Sequence, residues 1–567
     1  MDVCVQRKRF GQCSFAPSLQ KAAVQSRFHI TLISIHLLML KLSSAKTVCT
    51  MLVCVIVIAI QGCATPAKQA KFDYASCTDV VPFSKKSLPS PALKGAQCGL
   101  LTVPENRSKH RSEHNKKTIQ LAVVIIPSVV EPRAPDPVVY LAGGPGGSAF
   151  LEIESLVNDG INRNRDLILM SQRGTLFSKP ELMCAELDTF YVDSLAIPLD
   201  SEANRKEHII ASQACYLRLL KQGIDLNAYN TVESAADFAD LRTALGIPKW
   251  NVLGVSYGTY LAQTLMYQHP AGIRSVTLDS VVPIEDGKAA ASAAKNAREG
   301  FDHLFAACAA QPACADHYPN LATTFTNLVN ELESKPVEKN TRLTSDGAPT
   351  KIGIDGGVLV NWLINESFNT PNYPNVPALI NSPDNDADRK IIGSYALPFM
   401  IPANVLAYGM TMGMVCSGYL ADEDESDILK QGRRAFPEYP DSVLAPALHF
   451  SYVYDDCRVW NIAKTPKKLR TAKSSSIPTL IISGTFDAVT PPSTGVIAAK
   501  TLSDSHVLTF PGVGHGVVNA SSCAQNVFAS FLANPDKPDT TCVTQLAVPV
   551  FEVGNKTSNK TGNKTSK

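Results

Sequence analysis

The pentapeptide Gly254-Val255-Ser256-Tyr257-Gly258 constrains this chain most, because of what stands on either side of it. Trp250 to Leu253 reads as a short buried strand, and Gly258 to His269 as a helix stopped by Pro270. A Gly-x-Ser-x-Gly run at such a junction fits a sharp strand-to-helix turn, in which small residues two positions away on each side leave the serine exposed at the strand end. Alone, the pattern would arise by chance in roughly one chain in ten of this length. Its setting gives it weight.

The flanking sequence continues the alternation. Thr118 to Ile126 (TIQLAVVII), Pro137 to Leu141 (PVVYL) and Asp166 to Met170 (DLILM) read as buried strands. The second runs into the bent loop Gly143-Gly144-Pro145-Gly146-Gly147, the third into Ser171-Gln172-Arg173-Gly174. Thr231 to Leu245 has apolar residues at 235, 238, 241 and 245, close to helical period, with Gly246 at its end. Arg274 to Leu278 is the next strand, and strand character returns only at Thr479 to Ser483 and His506 to Phe510. Strands alternating with helices imply a mostly parallel sheet flanked by helices, an α/β fold. Residues 283–470, alanine-rich and then polar with Pro and Asn, read as a mostly helical cap inserted into it. The expected division is a leader over 1–62, a core in two parts over 63–282 and 471–550, the cap between them, and a disordered tail over 551–567 that repeats Asn-Lys-Thr.

A serine is inert at neutral pH unless an oriented base takes its proton. In a sheet of this kind the acid and the histidine follow the serine in chain order. His269 ends a helix, His506 begins a strand, and His303, His317 and His449 fall in the cap, where structural roles are the default. Only His515 lies in a glycine-rich loop directly after a strand. Asp487 follows the strand Thr479 to Ser483 and precedes the histidine by one strand-helix unit; Asp279, at another strand end, is its rival. Each such residue taken singly is most often a turn residue, but the three in this order at strand C-termini point to Ser256, Asp487 and His515 as a catalytic triad. Oxyanion donors are expected from the amide of Tyr257 and from Gly143 or Gly144.

Taken with Cys98-Gly99 and Val103-Pro104-Glu105-Asn106, Leu141-Ala142-Gly143-Gly144-Pro145-Gly146-Gly147, Gln172-Arg173-Gly174-Thr175, Gly254 to Thr259 and Cys457-Arg458-Val459-Trp460, the chain resembles the tripeptidyl aminopeptidase and prolyl iminopeptidase branch of the α/β-hydrolases. That resemblance covers most of the chain and implies the α/β-hydrolase fold, the same triad, and cleavage of short peptides or amino acids from peptide N-termini. Ala142 stands where such relatives often carry histidine, and Ser171 where aspartate is common. The family holds the substrate's α-amine with cap carboxylates, for which Glu366 or the run Asp422-Glu423-Asp424-Glu425 could serve. The expected substrate is therefore a peptide. A carboxylic ester handled by the same triad and an inactive hydrolase acting as a binding module are the alternatives.

A formal net charge of +2 with 18% charged residues argues against a nucleic-acid partner. No cofactor is implied, and no cysteine pair has zinc-ligand spacing with nearby histidines. Met51 to Ile60 is an apolar run preceded by Lys41 and Lys46, the layout of an export signal and too short to span a bilayer. Translation from Met39 would leave residues 1–38 superfluous. Ile60-Gln61-Gly62-Cys63 resembles a bacterial lipobox, which would place a lipid on Cys63 and attach the protein to a membrane in the periplasm or cell envelope; secretion after ordinary cleavage is the alternative. The ten later cysteines suit five disulfides between sequence neighbours: 77 with 98, 184 with 215, 308 with 314, 416 with 457, and 523 with 542. Mass spectrometry of the mature protein is expected to find Cys63 at the N-terminus carrying a lipid mass; an unmodified terminus elsewhere would exclude lipidation.

Overall fold

Short runs of apolar, β-branched residues that are buried on both faces make the centre of a nine-stranded sheet. The computed structural model describes residues 70–81, 91–110, 117–198, 200–284, 292–342, 349–381, 405–423, 425–447 and 452–553. The leader with Cys63, His449, Asp424 and the Asn-Lys-Thr repeats lie outside the described residues.

The strands are β1 (Lys71–Ala75), β2 (Gln97–Pro104), β3 (Thr118–Ile126), β4 (Val138–Leu141), β5 (Leu167–Met170), β6 (Trp250–Val255), β7 (Ile273–Asp279), β8 (Val337–Arg342), β9 (Pro349–Ile354), β10 (Thr479–Gly484) and β11 (Ser505–Phe510). The main sheet runs β1-β2-β3-β5-β4-β6-β7-β10-β11, and β8 and β9 form a separate antiparallel pair. From β5 to β11 every pairing is parallel, while β1, β2 and β3 join antiparallel to one another and to β5. Parallel neighbours need crossover helices, and these cover both faces. Helices Thr231–Ala244 and Tyr257–Gln268 pack Phe238, Leu241, Leu261 and Leu265 against one face. Helices Ile153–Asn158 and Ser522–Ala533 pack Leu156, Phe528 and Phe531 against the other.

Strands β3 to β7, β10 and β11 lie where the apolar runs predict them. The sheet also contains β1 and β2, which are not among the strands expected from the sequence. β1 alternates Lys71 and Asp73 with Phe72 and Tyr74, but it is a five-residue strand on an exposed edge and carries no buried apolar run. The three antiparallel strands also qualify the expectation of strand-helix alternation along the whole sheet.

Between β7 and β10 the chain builds a helical layer around Phe325, Trp362, Phe436 and Trp460. The same apolar cluster takes in Leu182, Cys184, Cys215, Leu219 and Tyr229, which come from the segment between β5 and β6. Helix Glu202–Lys221 packs on helix Val453–Trp460, where the Trp460 indole donates to Ser212 Oγ at 2.9 Å. The layer thus draws on two excursions of the chain, one of them inside the 63–282 stretch expected to form the first part of the core. All five disulfides join the expected sequence neighbours. They mark an exported protein. Among the described residues no helix is long and apolar enough to cross a membrane.

Two of the motif residues prove to be architectural. The fully buried Arg173 guanidinium meets Asp237 through two hydrogen bonds (2.7 and 2.8 Å) and donates to the carbonyls of Glu105 (2.7 Å) and Ala228 (2.6 Å). It therefore ties β5, the end of β2 and helix Thr231–Ala244 into one unit. Glu105 in turn accepts from Lys117 and Tyr229. Replacing Arg173 by Met strips a buried carboxylate and two carbonyls of donors. Because Arg107 still reaches Asp237 at 2.7 Å, the expected loss is about 3 kcal/mol, the low end for a broken buried pair. Urea unfolding of Arg173→Met measures it, and a loss below about 1 kcal/mol, the surface-pair scale, would contradict this account.

Candidate active site

β6 ends at Val255, and Ser256 turns the chain at φ 56°, ψ −127° into helix Tyr257–Gln268. Few non-glycine residues adopt such a backbone, so neighbouring structure must hold it. The Ser256 N–H donates to Asp279 O at the end of β7 (3.0 Å), and Thr259 donates to Ser256 O through both its N–H (2.8 Å) and its hydroxyl (2.6 Å). Gly258 passes so close to β4 that a Cβ there would lie 1.9 Å from Leu141 O. The flanking glycine is therefore a steric necessity. The Tyr257 N–H opens the helix, where amides have no intrahelical acceptor.

The glycine loop after β4 lies against the same turn: a Cβ on Gly143 would meet Ser256 Cβ at 3.0 Å, and Gly144 has φ 116°. Three groups pin this loop. Gln172 donates to Ala142 O (3.1 Å), the Ala407 N–H to Gly146 O (3.1 Å), and Thr411 Oγ1 to Pro145 O (2.8 Å). Gln172 thus gives the motif that it shares with Arg173 a second role, and the helical layer reaches the loop through Ala407 and Thr411.

His515 and Asp487 meet across the loops after β11 and β10. His515 Nδ1 donates to Asp487 Oδ2 at 2.8 Å; Thr490 Oγ1 donates to the same oxygen at 2.7 Å, and the amides of Val489 and Thr490 donate to Oδ1, both at 2.8 Å. Burial alone would push the Asp487 carboxyl up, but the His515 charge and hydrogen bond together with the Thr490 donors outweigh it and hold it below the ordinary range. For His515, burial disfavours the imidazolium, and the charge and hydrogen bond of Asp487, with Asp279 beyond, more than reverse this and raise it. Both partners shift toward the ionised pair. Among the described residues, His515 Nε2 is buried with no hydrogen-bond partner. That nitrogen is the one a serine-histidine relay uses, and such contacts often close only around substrate.

Asp279, the rival acid, does other work. Its oxygens accept the N–H groups of Val517 and Val518, each at 2.8 Å, while Ser280 Oγ accepts the Gly516 N–H at 2.8 Å. It anchors the loop that carries His515. Burial lifts its carboxyl to about 6 against the opposing pull of those amides.

Sequence reasoning missed the residues that lock this pair in place. Thr490 leaves one trace, a hydroxyl residue three positions after Asp487 and before Pro491-Pro492. Nothing in the sequence signals that helix Ala293–Ala310 touches the acid loop, through Asn296 Nδ2 to Val489 O at 3.0 Å and His303 Nδ1 to Thr485 O at 2.9 Å. Glu366, the expected amine-binding carboxylate, is 3% exposed, with one oxygen accepting the Trp362 indole N–H and the other Asn372 Nδ2, both at 2.9 Å. A carboxylate can accept about four hydrogen bonds, so these two donors orient the group and do not exhaust it. Asp422 and Glu425 form ion pairs with Arg470 and with Arg205 and Arg458. Among the described residues no group of three or more His, Cys, Asp or Glu side chains is arranged to hold a metal ion.

The family described as the alpha/beta hydrolase fold matches residues 136–518. The chain belongs to the α/β-hydrolase fold family. This α/β-hydrolase is 24% identical over 471 residues to the serine protease Hip1 of Mycobacterium tuberculosis, a match spanning 78% of this chain and 86% of that protein. It is 31% identical over 230 residues to the tripeptidyl aminopeptidase of Streptomyces coelicolor, covering 39% of each. Among solved structures, a proline iminopeptidase from Mycobacterium smegmatis aligns with 77% of this chain and 98% of its own at 13% identity and a TM-score of 0.32.

The electrostatics of the hydrolase's histidine can be read directly by NMR titration of the imidazole. His515 is expected to titrate above the ordinary histidine value of about 6.5. In Asp487→Asn burial persists while the main attraction is gone, so the titration moves below that value. An unchanged midpoint would show that Asp487 does not set it.

Proposed function

We propose that this α/β-hydrolase is an exported serine peptidase that releases short peptides or amino acids from peptide N-termini through an acyl-enzyme. One observation carries the catalytic part: the His515 ring is fixed to Asp487 through Nδ1 while Nε2 stays unpaired, in a loop bonded to the strand that pairs with β6 and so with Ser256. In this reading Ser256 Oγ attacks the scissile carbonyl as its proton passes to His515 Nε2. The amides of Tyr257 and of Gly143 or Gly144 take the negative charge that forms on oxygen. Collapse of the tetrahedral adduct breaks the C–N bond, and Nε2 returns the proton to the departing amine. Water, activated by the same imidazole, then releases the acyl group and regenerates Ser256. Asp487 keeps the imidazole in the required tautomer throughout.

The choice of peptide over ester rests on the relatives, a serine protease and a tripeptidyl aminopeptidase. The export part is supported by the five disulfides. The bacterial periplasm or cell envelope is the compartment we assign, with a lipid on Cys63 as the attachment.

A fluorophosphonate is expected to label the wild type and not Ser256→Ala, whose kcat falls on the order of 10⁶-fold. Tripeptidyl- and aminoacyl-arylamides are then compared with short acyl esters. Amide turnover supports the peptidase. Ester turnover alone would remove it in favour of an esterase, and failure of the wild type to label would favour a binding module.

A further inference from the structure

Residues 366–373 of the helical layer clamp both loops of the Asp487–His515 pair. Ser367 O accepts the His515 N–H (2.6 Å), Ser367 Oγ accepts the Ala488 N–H (2.9 Å), Thr370 Oγ1 accepts the Gly514 N–H (3.0 Å), and Tyr373 OH donates to Phe486 O (2.5 Å). The approach is close enough that a Cβ on Gly514 would lie 2.2 Å from Ser367 O. Phe368 sits between two of these pinned residues. Its ring stands edge-on to the His515 imidazole with centroids 4.7 Å apart, yet it is 59% exposed, whereas Tyr373 in the same segment is 1% exposed. Its backbone cannot withdraw, and its apolar face is left to solvent beside the one imidazole that carries protons.

We propose that Phe368 is a specificity-determining residue that lines the leaving-group side of the site and selects large apolar or aromatic groups there. The proposal rests on His515 acting as the acid that protonates the departing group. A group receiving a proton from Nε2 must come within hydrogen-bond reach of the imidazole. A ring packed on that imidazole borders the space the group enters. The carbonyl oxygen points instead toward the amides of Tyr257 and the glycine loop. Covering the exposed face of Phe368 removes apolar surface from water, so it favours an apolar leaving group over a small or polar one.

The test uses two substrate series measured as kcat/KM on the full protein. In one the acyl part is fixed and the leaving group runs from Gly to Ala, Leu and Phe amides and from methyl to benzyl esters; in the other the leaving group is fixed and the acyl part varies. The wild type is expected to favour the large apolar leaving groups, and Phe368→Ala to lose about tenfold of that preference while the acyl series keeps its order. Phe368→Leu should retain most of it. An equal loss across both series would overturn the proposal, because it would mean that Phe368 only supports His515. A changed acyl order with the leaving-group order intact would overturn it too. No turnover by the wild type in either series, with no Ser256 labelling, would instead sink the hydrolase reading itself and the proposal with it, an outcome distinct from the other two.

Discussion

Holding a serine at φ 56° costs on the order of 1–3 kcal/mol, and the neighbouring strands help to meet that cost. β7 supplies the acceptor for the Ser256 N–H, β4 presses its carbonyl onto Gly258, and the first turn of the following helix ties back through Thr259. β4 and β7 can do this only because they flank β6 in parallel register, Leu141 beside Gly254 and Asp279 beside Val255. The sheet's order is thus what allows the turn to exist. The buried Arg173–Asp237 node holds the helix before β6 to the strands beside it.

The helical layer belongs to the same mechanics. It is not a cover laid on a finished site, since Ser367, Thr370 and Tyr373 bond to the acid and histidine loops, and Ala407 and Thr411 bond to the glycine loop. The contacts fall on both sides of Ser256. On the loops every one of these contacts ends on a backbone atom, so they constrain loop position without engaging the Asp487 carboxylate or the His515 ring. Glu366, next to Ser367, is held within the same layer by Trp362 and Asn372.

Legibility in the sequence follows burial and distance. Strands β4, β5, β6 and β10 read clearly because both faces are covered and the apolar run is unbroken. Order and position after strands single out Ser256, Asp487 and His515, and of these the structure brings His515 and Asp487 into direct contact. β1 is hidden because its alternation, Phe72 and Tyr74 between Lys71 and Asp73, spans only five residues of an exposed edge and forms no buried run. The segment 182–229 hides its membership of the helical layer because its partners lie more than a hundred residues downstream. Contacts such as Ser367 to Ala488, 121 positions apart, leave no periodic trace in either partner. Glu366 shows the converse: its burial and its Trp362 and Asn372 donors leave no mark in the sequence, where it reads only as a lone carboxylate.

The five disulfides close loops of 6 to 41 residues in sequence separation, and none of them joins a strand of the parallel sheet to the helical layer. Each closes within its own stretch of chain and needs no partner from the other layer. Covalent locking therefore stays local. The register between the layers is therefore set by apolar contact and by hydrogen bonds such as those of Ser367, Thr370 and Thr411, with no covalent bond from the parallel sheet to the helical layer.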